Sequence, residues 1–141
     1  MPWDDFAPFL VGSGPTSTVL DPDANPNTIL EQNRGGSVKV DWGFTGIATS
    51  FLPGTTFTVS VYAESIGGGP EKRVGNPINV PGAGPLTATV VIAPGELPAD
   101  APPDISGVYK LTTVITHRGC SGAPTALSAF VDGPVIQMRN P

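Results

Sequence analysis

Few side chains in this 141-residue chain could do chemistry, and most of them are grouped. The single histidine, His117, stands three residues before the single cysteine, Cys120, and Ser121 follows directly. Imidazole and thiolate are both zinc ligands, but structural zinc takes four such ligands, and catalytic zinc takes three beside an open position. With no second His or Cys, a carboxylate such as Asp132 would have to complete the set; a surface His and a semi-buried Cys at a strand end is the simpler reading. Elsewhere Asp21, Asp23, Asn25 and Asn27 put oxygen donors at every second position. A non-helical calcium site on Asp21, Asp23 and Asn25 is one reading, and a string of Asx-Pro turns is the other.

Two of these stretches are similar to known motifs. Gly119-Cys120-Ser121-Gly122-Ala123-Pro124 resembles the Gly-Asp-Ser-Gly-Gly-Pro nucleophile loop of chymotrypsin-like proteases, which would make Ser121 a nucleophile. That chemistry needs a His base within hydrogen-bond reach, itself oriented by a carboxylate. The family carries its His far upstream on a separate barrel, whereas His117 is four residues away, Cys120 replaces the Asp, and the chain is too short for two barrels. A Gly-rich hairpin turn accounts for the same residues. The Asp21 loop is similar in spacing to an EF-hand, with Gln32 where the bidentate Glu stands, but Pro26 occupies the position that needs Gly. Gly67-Gly68-Gly69-Pro70-Glu71-Lys72-Arg73 lacks the Gly-Lys-Thr or Gly-Lys-Ser end of a phosphate cradle and opens no helix. No catalytic residue and no cofactor is assigned on these grounds, and the chain is expected not to be an enzyme.

Composition narrows the partners. Net charge is -5 and the seven Lys and Arg are scattered apart from Lys72-Arg73, so no basic stripe exists to neutralise phosphates and nucleic acid is not expected. Apolar runs are far shorter than the roughly 20 residues of a membrane helix, so no membrane span is expected. The N-terminus lacks the order of a signal peptide, and a lone Cys120 leaves no intrachain disulfide; both suit a cytoplasmic or particle-associated protein. Gly 18 and Pro 17 approach a quarter of the chain, yet 39% is hydrophobic and 13% charged, which is not the balance of a disordered chain. The Gly and Pro read instead as punctuation between short strands.

Period-two alternation supplies those strands. Gly107 to His117 is the longest β-favouring run, with Tyr109, Leu111, Thr113 and Ile115 on one face and a mixed set on the other. Val38, Val40 and Trp42 alternate with Ser37, Lys39 and Asp41; Phe57, Val59, Val61 and Ala63 with Thr56, Thr58, Ser60 and Tyr62; Leu86, Ala88, Val90 and Ile92 with Thr87, Thr89 and Val91. Shorter strands are expected at Thr16 to Leu20, Thr28 to Glu31, Ile78 to Val80, Thr125 to Val131 and Val135 to Met138, the last two separated by Asp132-Gly133-Pro134. Phe44 to Leu52 reads as a bulged strand or crossover, and Pro-rich Leu97 to Ser106 as a passage between sheets. The core is expected to hold Val38, Val40, Trp42, Phe57, Val59, Val61, Leu86, Val90, Ile92, Tyr109, Leu111, Ile115, Leu127 and Val131. No segment keeps a 3.6 period across three turns, so almost no helix is expected.

Residues 1–15 form an irregular arm, dense in aromatics and broken by Pro2, Pro8 and Pro15, ahead of a single β-sandwich domain over 16–141. Trp3, Phe6, Phe9 and Leu10 either fold back over one end of that domain or dock on a neighbouring subunit.

Seven to nine short strands with frequent turns make an all-β, two-sheet antiparallel sandwich. Asp104-Ile105-Ser106-Gly107-Val108-Tyr109-Lys110-Leu111 resembles the run at the start of strand F in immunoglobulin-like domains. The resemblance implies an immunoglobulin-like sandwich in which the Tyr109 hydroxyl ties back to upstream backbone as a structural corner, and Leu111 stands where antibody domains place a Cys. The expected function is a non-catalytic structural or interaction module, a subunit, adaptor or decoration protein of a larger viral or bacterial assembly, with a protein partner or its own copies. The alternative is a ligand-binding module, taking calcium through the Asp21 loop or carbohydrate through exposed Tyr62, Trp3 or Trp42.

Overall fold

The structure is a computed structural model that describes Trp3, the backbone of Asp4, and residues 10–141. Among the described residues there are nine strands: β1 Trp3–Asp4, β2 Val11–Leu20, β3 Ile29–Glu31, β4 Gly36–Thr45, β5 Thr56–Ser65, β6 Lys72–Pro81, β7 Thr87–Ile92, β8 Val108–Arg118 and β9 Pro124–Arg139. They form two sheets, β2-β4-β7 and β1-β9-β8-β5-β6, with β3 added to β9. Among the described residues there is no α-helix, only a 3-10 turn at Ile47–Phe51.

The alternating runs become strands because each buries one face. On β4 Val38, Val40 and Trp42 turn inward, on β5 Phe57, Val59, Val61 and Ala63, and on β7 Ala88, Val90 and Ile92. On β8 Tyr109, Leu111, Thr113, Ile115 and His117 are buried, while Val108, Lys110, Thr112 and Val114 are half-buried on the opposite face. Phe57 is fully buried at the centre of an aromatic cluster, with ring centroids 5.6 Å from Trp42, 5.6 Å from Phe44 and 4.7 Å from His117. Burial of a side chain of that size is worth roughly 1.5–3 kcal/mol.

Several expectations are corrected by the pairing. The sheets are not antiparallel throughout, because β3 runs parallel to β9, Leu30 facing Met138. Val135 to Met138 is no separate strand. Lys110 faces Val135 and Thr112 faces Asp132, so β9 carries one extra residue opposite Leu111, and Gly133-Pro134 forms a bulge in one 16-residue strand. That bulge changes the inward phase from Leu127 and Ala129 to Ile136 and Met138, and leaves Val131 half-buried rather than in the core. Leu86 is half-buried too, lying just ahead of β7. β2 extends to Val11 and β6 spans ten residues despite Gly75 and Pro77, since β6 pairs on one side only. Phe44 and Thr45 complete β4 before the 3-10 turn begins.

The Pro-rich stretch after β7 does pass from the smaller sheet to the larger one. It contributes the buried Leu97 and Ala99 on the way. Parts of residues 1–15 are woven into both sheets, Trp3 opposite Ala129 of β9 and Val11 opposite Thr45 of β4.

Candidate functional site

The outer face of the larger sheet gathers the most varied side chains, and strand register places each of them. Tyr62 on β5 faces Arg73 on β6 and Thr112 on β8, and Thr112 faces Asp132 on β9. Arg73, Tyr62, Thr112 and Asp132 therefore form one row across four strands. On one side of that row lie Glu64, Lys110 and Val135, and on the other Ser60, Val114 and Phe130. Neighbouring strands lie about 4.8 Å apart and alternate residues about 6.8 Å along a strand, so Tyr62 and Phe130 stand roughly 12 Å apart on a diagonal.

Apolar groups on this face are not covered: Phe130 is 61% exposed, Val135 49% and Tyr62 44%. Charge is arranged around them. The Lys110 ammonium lies 3.4 Å from Asp132 and 3.7 Å from Glu64. The hydrogen bond that the Lys110 ammonium donates to Asp132, with both carboxylates nearby, raises the Lys110 pKa above the usual ammonium range, so Lys110 stays charged at neutral pH. Tyr62, Glu64, Glu71, Arg73 and Thr112 line a shallow cleft of about 460 Å³. A second exposed apolar group lies on the 3-10 turn, where Ile47 and Phe51 both face solvent.

The residues singled out by type are not brought together. His117 points into the core against Phe57, its Nδ1 lies 2.8 Å from the Thr125 hydroxyl, and its Nε2 has no hydrogen-bond partner among the described residues. Burial pushes its pKa below the usual imidazole range. Cys120 and Ser121 are exposed in the β8–β9 turn, the thiol directed at the Pro53 carbonyl 3.9 Å away. Asp132 pairs with Lys110 and Thr112 at the other end of β8. Among the described residues no three His, Cys, Asp or Glu side chains come close enough to hold a metal ion.

The Asp21 loop is held by its own backbone. Asp21 Oδ1 accepts the amides of Asp23 and Asn25, both at 3.0 Å, and Asp23 lies 3.7 Å from Arg34. Asn27 Oδ1 accepts the Ile29 amide in the same way. These are Asx turns, and they direct the Asp21 oxygen inward to amides rather than out to an ion.

Of the aromatic arm, Trp3 and Leu10 are buried in the chain's own core, and Phe6 and Phe9 lie outside the described residues. Trp3 packs 4.7 Å from Phe44 and donates its indole N–H to the Ser13 carbonyl at 3.3 Å. Trp42 is buried as well, so of the three aromatics considered for stacking on a sugar only Tyr62 is exposed. Residue type alone does not single out Phe130, although its position does: it falls on the opposite phase to Leu127 and Ala129, so a large aromatic occupies a wet position. Ile47 and Phe51 had no such signal, because a 3-10 turn breaks the alternation that sorts faces.

No family model, no curated protein and no solved structure matches the chain.

Proposed function

We propose that the chain is a non-catalytic interaction module, a subunit, adaptor or decoration protein of a larger viral or bacterial assembly, built on an immunoglobulin-like sandwich. The strand order supports the fold reading. Setting β2, β4, β5, β6, β7, β8 and β9 as A, B, C, C′, E, F and G gives A-B-E against G-F-C-C′, the division of strands expected of such domains with a C′ strand beside C. The Tyr109 hydroxyl, which donates to the Pro98 carbonyl, supports the same reading.

The observation that carries the function is the outer face of β9, β8, β5 and β6, where Phe130, Tyr62 and Val135 stay exposed among paired charges. Aromatic and aliphatic anchors inside a polar surround are the composition of a protein interface, in which a few such anchors carry most of the binding energy. Hydroxyl-radical footprinting of the purified protein and of the protein in extract of its source cells tests this. Protection of Tyr62 and Phe130 in extract is the expected result. Equal labelling of both residues under every condition would overturn the reading.

A further inference from the structure

We infer that the outer face of the larger sheet binds a second copy of this chain, through a two-fold axis that lies in the interface, parallel to the strands and between β5 and β8. This rests on the reading of the chain as an interaction module. A face that meets its own copy must be self-complementary, so that whatever stands left of the axis suits whatever stands right of it. The cross-strand rows meet that condition. In the row Arg73–Tyr62–Thr112–Asp132 the guanidinium and the carboxylate occupy opposite ends, so rotation about this axis sets Arg73 over the partner's Asp132 and Tyr62 over the partner's Thr112. In the next row Glu64 is set over the partner's Lys110.

Both charged rows are matched by one operation. An axis running along the rows instead, between these two, would set Lys110 over Thr112 and Glu64 over Tyr62, leaving both charges opposite neutral groups. The favoured axis also carries Phe130, the most exposed aliphatic or aromatic side chain on the face, across to the outer edge of the partner's β6. There the pairing with β5 is interrupted between Val59 and Val61, around Gly75 to Pro77, and apolar Pro77 is exposed. Like charges never meet in this arrangement, which is the main way an interface selects its partner and register.

Size agrees with a modest dimer. Four strands about 4.8 Å apart and five rows about 6.8 Å apart cover roughly 600 Å² on each copy, so about 1,200 Å² in total, the lower edge of specific interfaces. A two-fold axis parallel to the strands leaves the facing strands aligned near it, where the Glu64–Lys110 and Tyr62–Thr112 pairs lie. The association is therefore concentration-dependent rather than obligate.

Sedimentation equilibrium of the full chain from low to high micromolar concentration tests the inference, together with Arg73→Asp, Asp132→Arg and the double exchange. The expected result is a monomer–dimer equilibrium that each single exchange weakens by at least about tenfold and the double exchange restores. Circular dichroism melts establish that the variants fold; should Asp132→Arg not fold, Tyr62→Lys replaces it and must weaken the dimer alone. A monomer at every concentration overturns the inference, as does a dimer indifferent to the exchanges or one that the double exchange fails to recover. A dimer indifferent to the exchanges leaves the module reading standing, whereas a monomer whose Tyr62 and Phe130 also stay fully labelled in extract removes both.

Discussion

The hydroxyl of Tyr109 on β8 donates to the Pro98 carbonyl at 2.7 Å, fastening the passage between the sheets to the strand it feeds. Gly107 makes the approach feasible: its φ of +76° and its contact with the Asp100 backbone leave no room for a side chain. Tyr109→Phe keeps the ring and strands the carbonyl, so stability should fall by about 1–3 kcal/mol. That is a drop of roughly 3–10 °C in melting temperature for a chain of this size, read by calorimetry. An unchanged melting temperature would show that the bond is not formed in solution.

His117 sets a pH dependence. Its folded pKa is lowered by burial, so below about pH 6.5 the unfolded chain takes up the proton first. The stability present above that value should therefore decline as pH falls through the window between the ordinary and the lowered pKa. Urea denaturation at neutral and mildly acid pH should show a smaller loss on acidification for His117→Leu than for the unchanged protein. Equal losses in both would remove His117 from the account.

Trp3 depends on Gly12. A Cβ on Gly12 would collide with the Trp3 indole at Cδ1 and Cγ, so Gly12→Ala should displace the indole from the core. Expelling a buried aromatic costs on the order of 3 kcal/mol, and the tryptophan emission should shift to the red by the share that Trp3 contributes. Trp42, on β4 of the smaller sheet, packs on the same Phe57 ring and supplies the remaining part of the emission, which Trp42→Phe in the same background subtracts. Emission like that of the unchanged protein would mean that Trp3 does not occupy this site.

The Asp21 loop should behave as a turn. Asp21→Asn keeps an oxygen for the Asp23 and Asn25 amides and should be nearly neutral, whereas Asp21→Ala should cost about 0.5–2 kcal/mol. Millimolar calcium should leave the melting temperature of all three proteins in place. A calcium-dependent rise that Asp21→Ala abolishes would instead establish an ion site there.

Local patterning was enough for the strands and their faces. Strands β4, β5, β7 and β8 alternate in period two without interruption, so their faces, and with them Val38, Phe57, Val90 and Tyr109 as core, follow from the direction of successive side chains. Tertiary structure decided what depends on distant partners. The β9 bulge exists because Leu111 faces two residues, a relation between strands that neither strand states alone. Likewise β3 joins β9 in parallel, and Trp3 turns inward because β9 offers an edge at Ala129. The outer-face row Arg73–Tyr62–Thr112–Asp132 is the clearest case: its four residues are spread over about seventy positions of sequence, from Tyr62 to Asp132, and become neighbours only through the register of four strands. Period-two patterning tells which residues face out, but only pairing tells which outward residues stand side by side.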